Sequence, residues 1–93
     1  MESKIMTKNR ERVLTELTGQ LRANVEGLEQ LESKDLALSG TFADLGASSL
    51  DMVEVVSNTN SKLGVALDRR AFAQLKNLDE LVSLFEKELD KKG

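Results

Sequence analysis

Two adjacent serines, Ser48 and Ser49, are the residues of this chain best placed for chemistry, because they stand where a turn runs into a helical pattern. A serine hydroxyl is a weak nucleophile unless a nearby base removes its proton. The chain has no histidine and no cysteine, and Leu50 stands where a Gly-x-Ser-x-Gly nucleophile turn has its second glycine. Asp51 and Glu54 form a carboxylate pair, but they fall on a helix face that is expected to be exposed. We therefore predict that the chain is not an enzyme.

The segment around the serines predicts a tight turn followed by an amphipathic helix. Gly46 permits a sharp turn, and either Ser48 or Ser49 can cap the helix by accepting from a backbone N–H of its first turn. Ser48 and Asp51 have the Ser-x-x-acid spacing of a capping box. At about 100° per residue, an apolar stripe forms from Met52, Val55, Val56, Thr59 and Leu63. The opposite face carries Leu50, Asp51, Glu54, Ser57, Asn58 and Ser61.

The run Asp-Leu-Gly-Ala-Ser-Ser-Leu-Asp, residues 44–51, resembles the Asp-x-Gly-x-Asp-Ser-Leu signature of acyl carrier proteins. In that family the serine before leucine carries a phosphopantetheine arm as a phosphodiester, and the matching residue here is Ser49. The chain departs from the signature at Ser48, where the family usually has Asp, while Leu50 and Asp51 fix the register. The resemblance implies that a phosphopantetheinyl transferase loads the arm onto Ser49 and that acyl groups are then tethered to the arm as thioesters.

Acidic residues cluster before and around the serines. Residues 26–56 hold seven acidic side chains and one basic side chain, whereas residues 1–25 and 57–93 carry net charges of +2 and +1. Beside a modification site, such a cluster suits a basic surface on a partner protein. The family resemblance implies that the partners are an acyltransferase, a ketosynthase or other acyl-processing enzymes with basic docking surfaces. We expect partner recognition by Asp44, Leu50, Asp51 and Glu54.

A first helix is predicted from about Lys8 to about Ala23, with Thr7 as its cap. Its apolar residues recur at helical spacing, in too few heptads for the competing interpretation as a coiled coil. Residues 24–43 contain too many apolar side chains for a free linker, so we predict a long loop that lies across the helices and places several of them in the core. Whether part of this segment is helical stays open. Its apolar residues are Val25, Leu28, Leu31, Leu36, Leu38 and Phe42.

The second half of the chain predicts two further helices. The serine helix should end at Gly64, and Asp68 can cap a short helix over residues 69–74. Asn77 can cap the last helix, with Glu80 three residues later as its capping-box partner. The apolar stripe of this helix is Leu78, Leu81, Val82, Phe85 and Leu89.

The order of these elements predicts an all-α fold, a small bundle of three main helices plus one short helix, with a long loop between the first and second helices. This is the layout of acyl carrier proteins, and the resemblance covers about Arg10 to Leu89. We expect a single domain with its core within about 8–90 and with frayed ends at 1–6 and 91–93. The core is predicted to include Val53, Val56, Leu63, Val65, Phe72, Leu75 and Leu81.

Composition limits what else the chain can do. Without cysteine or histidine it has no disulfide, and no metal site is expected. No basic stripe with interleaved aromatics points to nucleic acid. No apolar run is long enough to span a membrane, and no secretory signal is recognisable, so a cytoplasmic monomer is the default expectation.

Several kinds of carrier fit the sequence. We favour a discrete acyl carrier of polyketide or related specialised biosynthesis, because Asn60, Ser61 and Lys62 stand where fatty-acid carriers have acids. A fatty-acid carrier, an aminoacyl or peptidyl carrier, and a helical adaptor without an arm are the alternatives. Because a well-packed core has no void in advance, short polar cargo is expected to stay outside it, along the serine helix.

Overall fold

The computed structural model describes residues 8–68, 70–71 and 74–92, and it confirms the all-α fold class. No residue in these ranges lies in a strand. The structure gives the bounds of three α-helices within these ranges, namely α1, Lys8–Asn24, α2, Ser49–Leu63, and α3, Leu78–Lys92. The α3 helix continues through Lys91 and Lys92, where the sequence led us to expect fraying.

The helices meet through their apolar stripes, and α1 packs against both α2 and α3. Phe85, Leu17 and Leu81 are completely enclosed at the centre of the bundle. Burying an apolar side chain of this size contributes about 1.5–3 kcal/mol, so these stripes supply most of the attraction between the helices. The buried apolar residues are Val13, Leu14, Leu17, Leu21, Val25, Leu36, Val55, Val56, Leu63, Leu67, Leu78, Leu81, Val82, Phe85 and Leu89.

The predicted core is confirmed at its centre and is more exposed at its edge. Val56, Leu63 and Leu81 are buried. Val53, Val65 and Leu75 pack against the core but are only partly buried. The prediction for Phe72 lies outside the described residues.

The connection between α1 and α2 is a loop with two short 3₁₀ turns, Ser33–Asp35 and Ala43–Leu45, rather than a continuation of α1. The hydroxyl of Ser33 contacts Thr18 Oγ1 at 3.2 Å and thereby ties the first turn to α1. Val25 and Leu36 are buried in the core. The predicted loop across the helices is therefore confirmed. Its partly buried apolar residues are Leu28, Leu31, Leu38 and Phe42.

A turn at Gly27 carries the chain away from the end of α1. Gly27 has a φ of 96°, in the left-handed region, and its N–H donates to the Glu29 carboxylate at 3.1 Å. The backbone N–H of Glu29 itself and that of Gly27 lower the pKa of the Glu29 carboxyl. Arg22 Nε donates to the Glu29 carbonyl at 3.1 Å, so the turn is held against α1.

The same loop also caps α3. The carbonyl of Leu38 accepts from the N–H of Asp79 at 2.8 Å, and the carbonyl of Gly40 accepts from the N–H of Leu78 at 2.9 Å. These N–H groups belong to the first turn of α3 and have no partner inside the helix. The loop that leads to the serines is therefore attached directly to the start of the last helix.

Of the two hydrogen bonds in the predicted capping box of α3, the one accepted by Asn77 is confirmed. Asn77 Oδ1 accepts from the N–H of Glu80 at 3.0 Å. The Glu80 carboxylate accepts from the N–H of Lys76 at 3.0 Å instead of from Asn77, so the second bond is shifted by one residue from a standard capping box. Both bonds fix the segment just before α3.

The α2 helix ends as predicted at Gly64, whose φ of 70° lies in the left-handed region. The N–H of Val65 donates to the carbonyl of Asn60 at 3.0 Å, which is the bond expected after a left-handed glycine. The side-chain amide of Asn60 also bonds both the N–H and the carbonyl of Leu67, at 3.0 and 3.3 Å. This double contact holds the following segment against α2.

Three further sequence predictions fall wholly or partly outside the described residues. The cap at Thr7 and the frayed segment 1–6 lie there entirely. Of the predicted short helix at 69–74, Arg70 and Ala71 are helical, and the Asp68 carboxylate accepts from the N–H of Arg70 at 3.0 Å.

Candidate functional site: the serine turn and its groove

The cap of α2 is Ser48. Its extended backbone, with a φ of −80° and a ψ of 172°, is that of a residue just outside a helix. Ser48 Oγ accepts from the N–H of Asp51 at 3.1 Å, and the Asp51 carboxylate accepts from the N–H of Ser48 at 3.0 Å. This is the predicted capping box, and it decides between the two serines that the sequence left open as caps.

Ser49 is the first residue of α2, and its side chain is exposed. Within the described part of the chain, its hydroxyl has no hydrogen-bond partner. The backbone N–H groups of Ser49 and Leu50 lie in the first turn, where a helix offers no internal acceptor. The positive end of the helix dipole lies at the same place. Ser49 therefore presents a free hydroxyl in a position that suits a negatively charged substituent.

The different roles of the two serines predict different effects on stability. Ser48→Ala removes the capping hydroxyl and should lower the free energy of unfolding by about 1 kcal/mol. Ser48→Asp should restore most of this, because a carboxylate can accept the same bond. Ser49→Ala should change the free energy of unfolding by less than about 0.5 kcal/mol, since no cap is lost. Urea unfolding followed by circular dichroism measures all three, and equal losses for both alanine variants would contradict the assignment of the cap.

The turn before the serines is built from a second pair of reciprocal bonds. The N–H of Thr41 donates to the Asp44 carboxylate at 2.9 Å, and the N–H of Asp44 donates to Thr41 Oγ1 at 3.2 Å. The 3₁₀ turn that follows ends at Gly46, whose φ of 81° requires the left-handed backbone that glycine adopts easily. The sequence predicted Asp44 for partner recognition; in the structure its carboxylate also holds the turn.

The exposed face of α2 begins with Leu50. Its side chain is 70% exposed, and no other large apolar side chain in the described ranges is exposed to solvent in this way. Glu54, one turn further along, is also exposed, whereas Asp51 is half-buried and engaged in the capping box. Of the four residues predicted for recognition, Leu50 and Glu54 therefore have side chains free to meet a partner.

An open groove lies on the other side of α2, where Met52 belongs to the apolar stripe. It has a volume of about 220 Å³ and runs between the turn before the serines, α2 and the segment that leads into α3. Its lining residues are Thr41, Phe42, Ala43, Met52, Leu75, Lys76, Asn77 and Leu81. Met52 lies one turn along α2 from Ser49, about 5 Å along the axis. The groove is a void that we did not expect from the sequence, because its walls depend on the path of the loop.

Residues 19–85 match the profile of a family described as carrying a phosphopantetheine attachment site. The matched segment is well over half of the chain and includes both serines, the groove and all of α2. The chain belongs to this family, that of the acyl carrier proteins. The family's prosthetic group is a phosphopantetheine attached covalently to the protein.

Two curated relatives support the assignment to the carrier family. They are named acyl carrier protein 4, chloroplastic, and acyl carrier protein 1, chloroplastic, both from Cuphea lanceolata. Each is 33% identical to this chain over 52 residues, which is 56% of the chain and 37% of the relative. The chain thus matches little more than a third of the length of each relative. No solved structure matches the chain significantly.

The residues at the start of α2 fit the family's prosthetic group. A phosphodiester needs a hydroxyl that is reachable and not already part of the fold, and Ser49 offers one. The N–H groups of Ser49 and Leu50, which have no acceptor inside the helix, would be able to donate to such a phosphate, and the helix dipole adds about 0.3–1 kcal/mol of favourable interaction. Ser48 fits less well, because its oxygen is already engaged with the N–H of Asp51.

In the described ranges, no three side chains of the metal-binding types are grouped so that they could hold an ion. None of the described helices combines the length and the apolar character needed to cross a membrane.

Proposed function

We propose that this chain tethers acyl groups as thioesters on a phosphopantetheine arm attached to Ser49 and presents them to partner enzymes. One observation carries the proposal: at the start of α2, Ser48 is used as the cap and Ser49 has a free, exposed hydroxyl. The bound arm supplies the thiol that carries the acyl group. Membership of the carrier family supports the class of function, and the geometry supports the choice of serine.

The chain's own residues would hold and present the arm. The capping box of Ser48 and Asp51 fixes the backbone on both sides of Ser49, so the attachment point is held by the fold. The reciprocal pair of Thr41 and Asp44 fixes the turn that precedes it. These contacts leave the Ser49 hydroxyl accessible to a phosphopantetheinyl transferase, which would supply the base and the metal that this chain lacks near the serines.

The direct test is attachment of the arm. Incubation of the purified chain with a phosphopantetheinyl transferase and coenzyme A should raise its intact mass by one phosphopantetheine group. No increase, with a known carrier loaded in the same reaction as a control, would favour the alternative of a helical adaptor without an arm.

The exposed face of α2 is proposed to meet the partners, which are the transferase and the acyl-processing enzymes with basic docking surfaces. Leu50 offers an apolar contact beside the attachment point, and Glu54 offers a negative charge one turn away. The acidic segment 26–56 adds to the negative potential around them. Such a field raises the rate of association with a basic surface and weakens as salt is added.

Charge reversal tests this surface. Glu54→Lys should lower the kcat/KM of arm transfer by about three- to tenfold at low salt, because a favourable contact becomes a repulsive one. The difference from wild type should shrink as sodium chloride is raised. Glu11→Lys reverses an exposed charge on α1, away from this face, and serves as the control. Equal rates for Glu54→Lys, Glu11→Lys and wild type would remove this face from the recognition of the transferase.

A role in polyketide or related specialised biosynthesis remains our preferred finer assignment, over a fatty-acid carrier and an aminoacyl or peptidyl carrier. It is supported by Ser61 and Lys62, which are exposed at the end of α2 where fatty-acid carriers have acids. Asn60 gives no such support, because its side-chain amide is bound to the backbone of Leu67. Intact mass of the carrier from its source organism would identify the native cargo, and a long alkyl group would contradict the preference for polyketide or related biosynthesis.

A cytoplasmic location is also a proposal. It follows the expectation from the sequence, whereas the two relatives are named as chloroplastic proteins.

A further inference from the structure

The groove beside Ser49 has two kinds of lining. The apolar lining consists of Phe42, Ala43, Met52, Leu75 and Leu81. The polar lining consists of Thr41, Lys76 and Asn77, and Lys76 is the only charged residue among those that line the groove. An acyl group that enters this groove therefore meets hydrocarbon and polar groups together.

Two acceptor oxygens of the polar lining each already have one hydrogen bond. Thr41 Oγ1 accepts from the N–H of Asp44 at 3.2 Å. Asn77 Oδ1 accepts from the N–H of Glu80 at 3.0 Å. The three polar side chains also carry donors, namely the Thr41 hydroxyl proton, the Asn77 amide N–H groups and the Lys76 ammonium. Within the described ranges, the structure gives none of these three donors an acceptor.

We infer that the groove favours acyl groups that carry a ketone or carboxylate oxygen over alkyl groups of the same size. This inference rests on the proposed attachment of the arm to Ser49. A ketone or carboxylate oxygen only accepts, so it can take a hydrogen bond from one or more of these unpaired donors. An alkyl group in the same place would remove the donors from water without giving them a partner, which is unfavourable. The groove would discriminate between acyl groups because an alkyl group leaves the groove's donors without a hydrogen bond, and not because the acyl groups differ in shape.

The carboxylates of Asp44 and Glu80 lie near the groove and would repel a negatively charged acyl group. Both carboxylates are held in place by hydrogen bonds. The Asp44 carboxylate accepts from the N–H of Thr41, and the Glu80 carboxylate accepts from the N–H of Lys76. Neither residue is part of the groove lining. Their charge should weaken the preference for a carboxylate more than the preference for a neutral ketone.

Three cargoes of matched shape test the inference. Isocaproyl, levulinyl and succinyl groups differ at one branched position, which carries two methyl groups, a ketone and a methyl group, or a carboxylate. Each is loaded from its coenzyme A thioester by a phosphopantetheinyl transferase, and intact mass confirms the loading. Failure at this stage counts against the proposed function; the inference is tested by what the loaded forms do next.

The readout is the nitrogen–proton NMR spectrum of each loaded form. The side-chain N–H₂ signals of Asn77 report hydrogen bonding directly, and the backbone signals of Met52 and Leu75 report entry into the groove. The levulinyl form should occupy the groove about fivefold more than the isocaproyl form, as expected for one added hydrogen bond. The succinyl form should also exceed the isocaproyl form, by about two- to threefold, with a difference that falls as salt is added.

Two variants remove hydrogen-bond donors of the groove without disrupting the fold. Asn77→Asp keeps an oxygen for the helix cap and removes the amide donors, so it should abolish the levulinyl preference while the protein stays folded. Lys76→Met should abolish the succinyl preference, and Lys87→Met, an exposed position outside the groove, should change neither. Equal occupancy for all three cargoes, a higher occupancy for isocaproyl, or preferences that survive both Asn77→Asp and Lys76→Met would overturn the inference.

Discussion

Replacing Ser49 with alanine is expected to abolish attachment of the phosphopantetheine arm completely while the helical fold stays nearly unchanged. The hydroxyl of Ser49 is the proposed attachment atom, and no other residue can substitute for it at the first position of α2. Because the cap of α2 belongs to Ser48, the loss of the Ser49 hydroxyl costs the fold little. Intact mass after incubation with transferase and coenzyme A measures the loading, and circular dichroism measures the fold.

The matched control is Ser48→Ala. This variant should be less stable but should still accept the arm, because the attachment atom is intact. The two alanine variants therefore separate the two roles, one losing stability and the other losing loading. Loading of Ser49→Ala together with failure of Ser48→Ala would show that the wrong serine has been assigned.

Replacing Phe85 with alanine should have the largest effect on stability, a loss of about 3–5 kcal/mol. The side chain is completely buried in α3, and its removal would leave a cavity that the surrounding helices cannot fully close. Small domains have a total free energy of unfolding of only about 5–15 kcal/mol, so the variant should be partly unfolded near physiological temperature. Urea unfolding followed by circular dichroism measures the loss.

Leu84→Ala is the control for this experiment. Leu84 precedes Phe85 in the same helix but is only partly buried, so its truncation should cost clearly less. Similar losses for the two variants would mean that Phe85 does not lie at the centre of the core.

The local features of the site could be predicted from the sequence because they depend on residues close together in the chain. The spacing of Ser48 and Asp51 was enough to predict the capping box, and the 3.6-residue period was enough to place Leu50 outside the apolar stripe. The choice of cap between Ser48 and Ser49 could not be made, because both carry the same hydroxyl. It is the extended backbone of Ser48 that decides it.

The features that were missed depend on contacts between distant segments. The carbonyls of Leu38 and Gly40 cap α3 across nearly forty residues of chain, and backbone groups leave no signature in the sequence. The groove has the same origin, because it exists only where the loop passes beside Met52. The contact of Asn60 with Leu67 was also missed, because residue types alone do not predict that a helix amide bonds to the backbone of a later segment.

Locating the arm on the loaded wild-type protein tests the central claim most directly. The protein is incubated with transferase and coenzyme A and digested, and the peptide that contains both serines is fragmented by a method that preserves the phosphodiester. The account predicts that every fragment carrying the added mass contains Ser49 and that fragments ending at Ser48 are unmodified. Added mass on Ser48, or on a peptide from elsewhere in the chain, would contradict it.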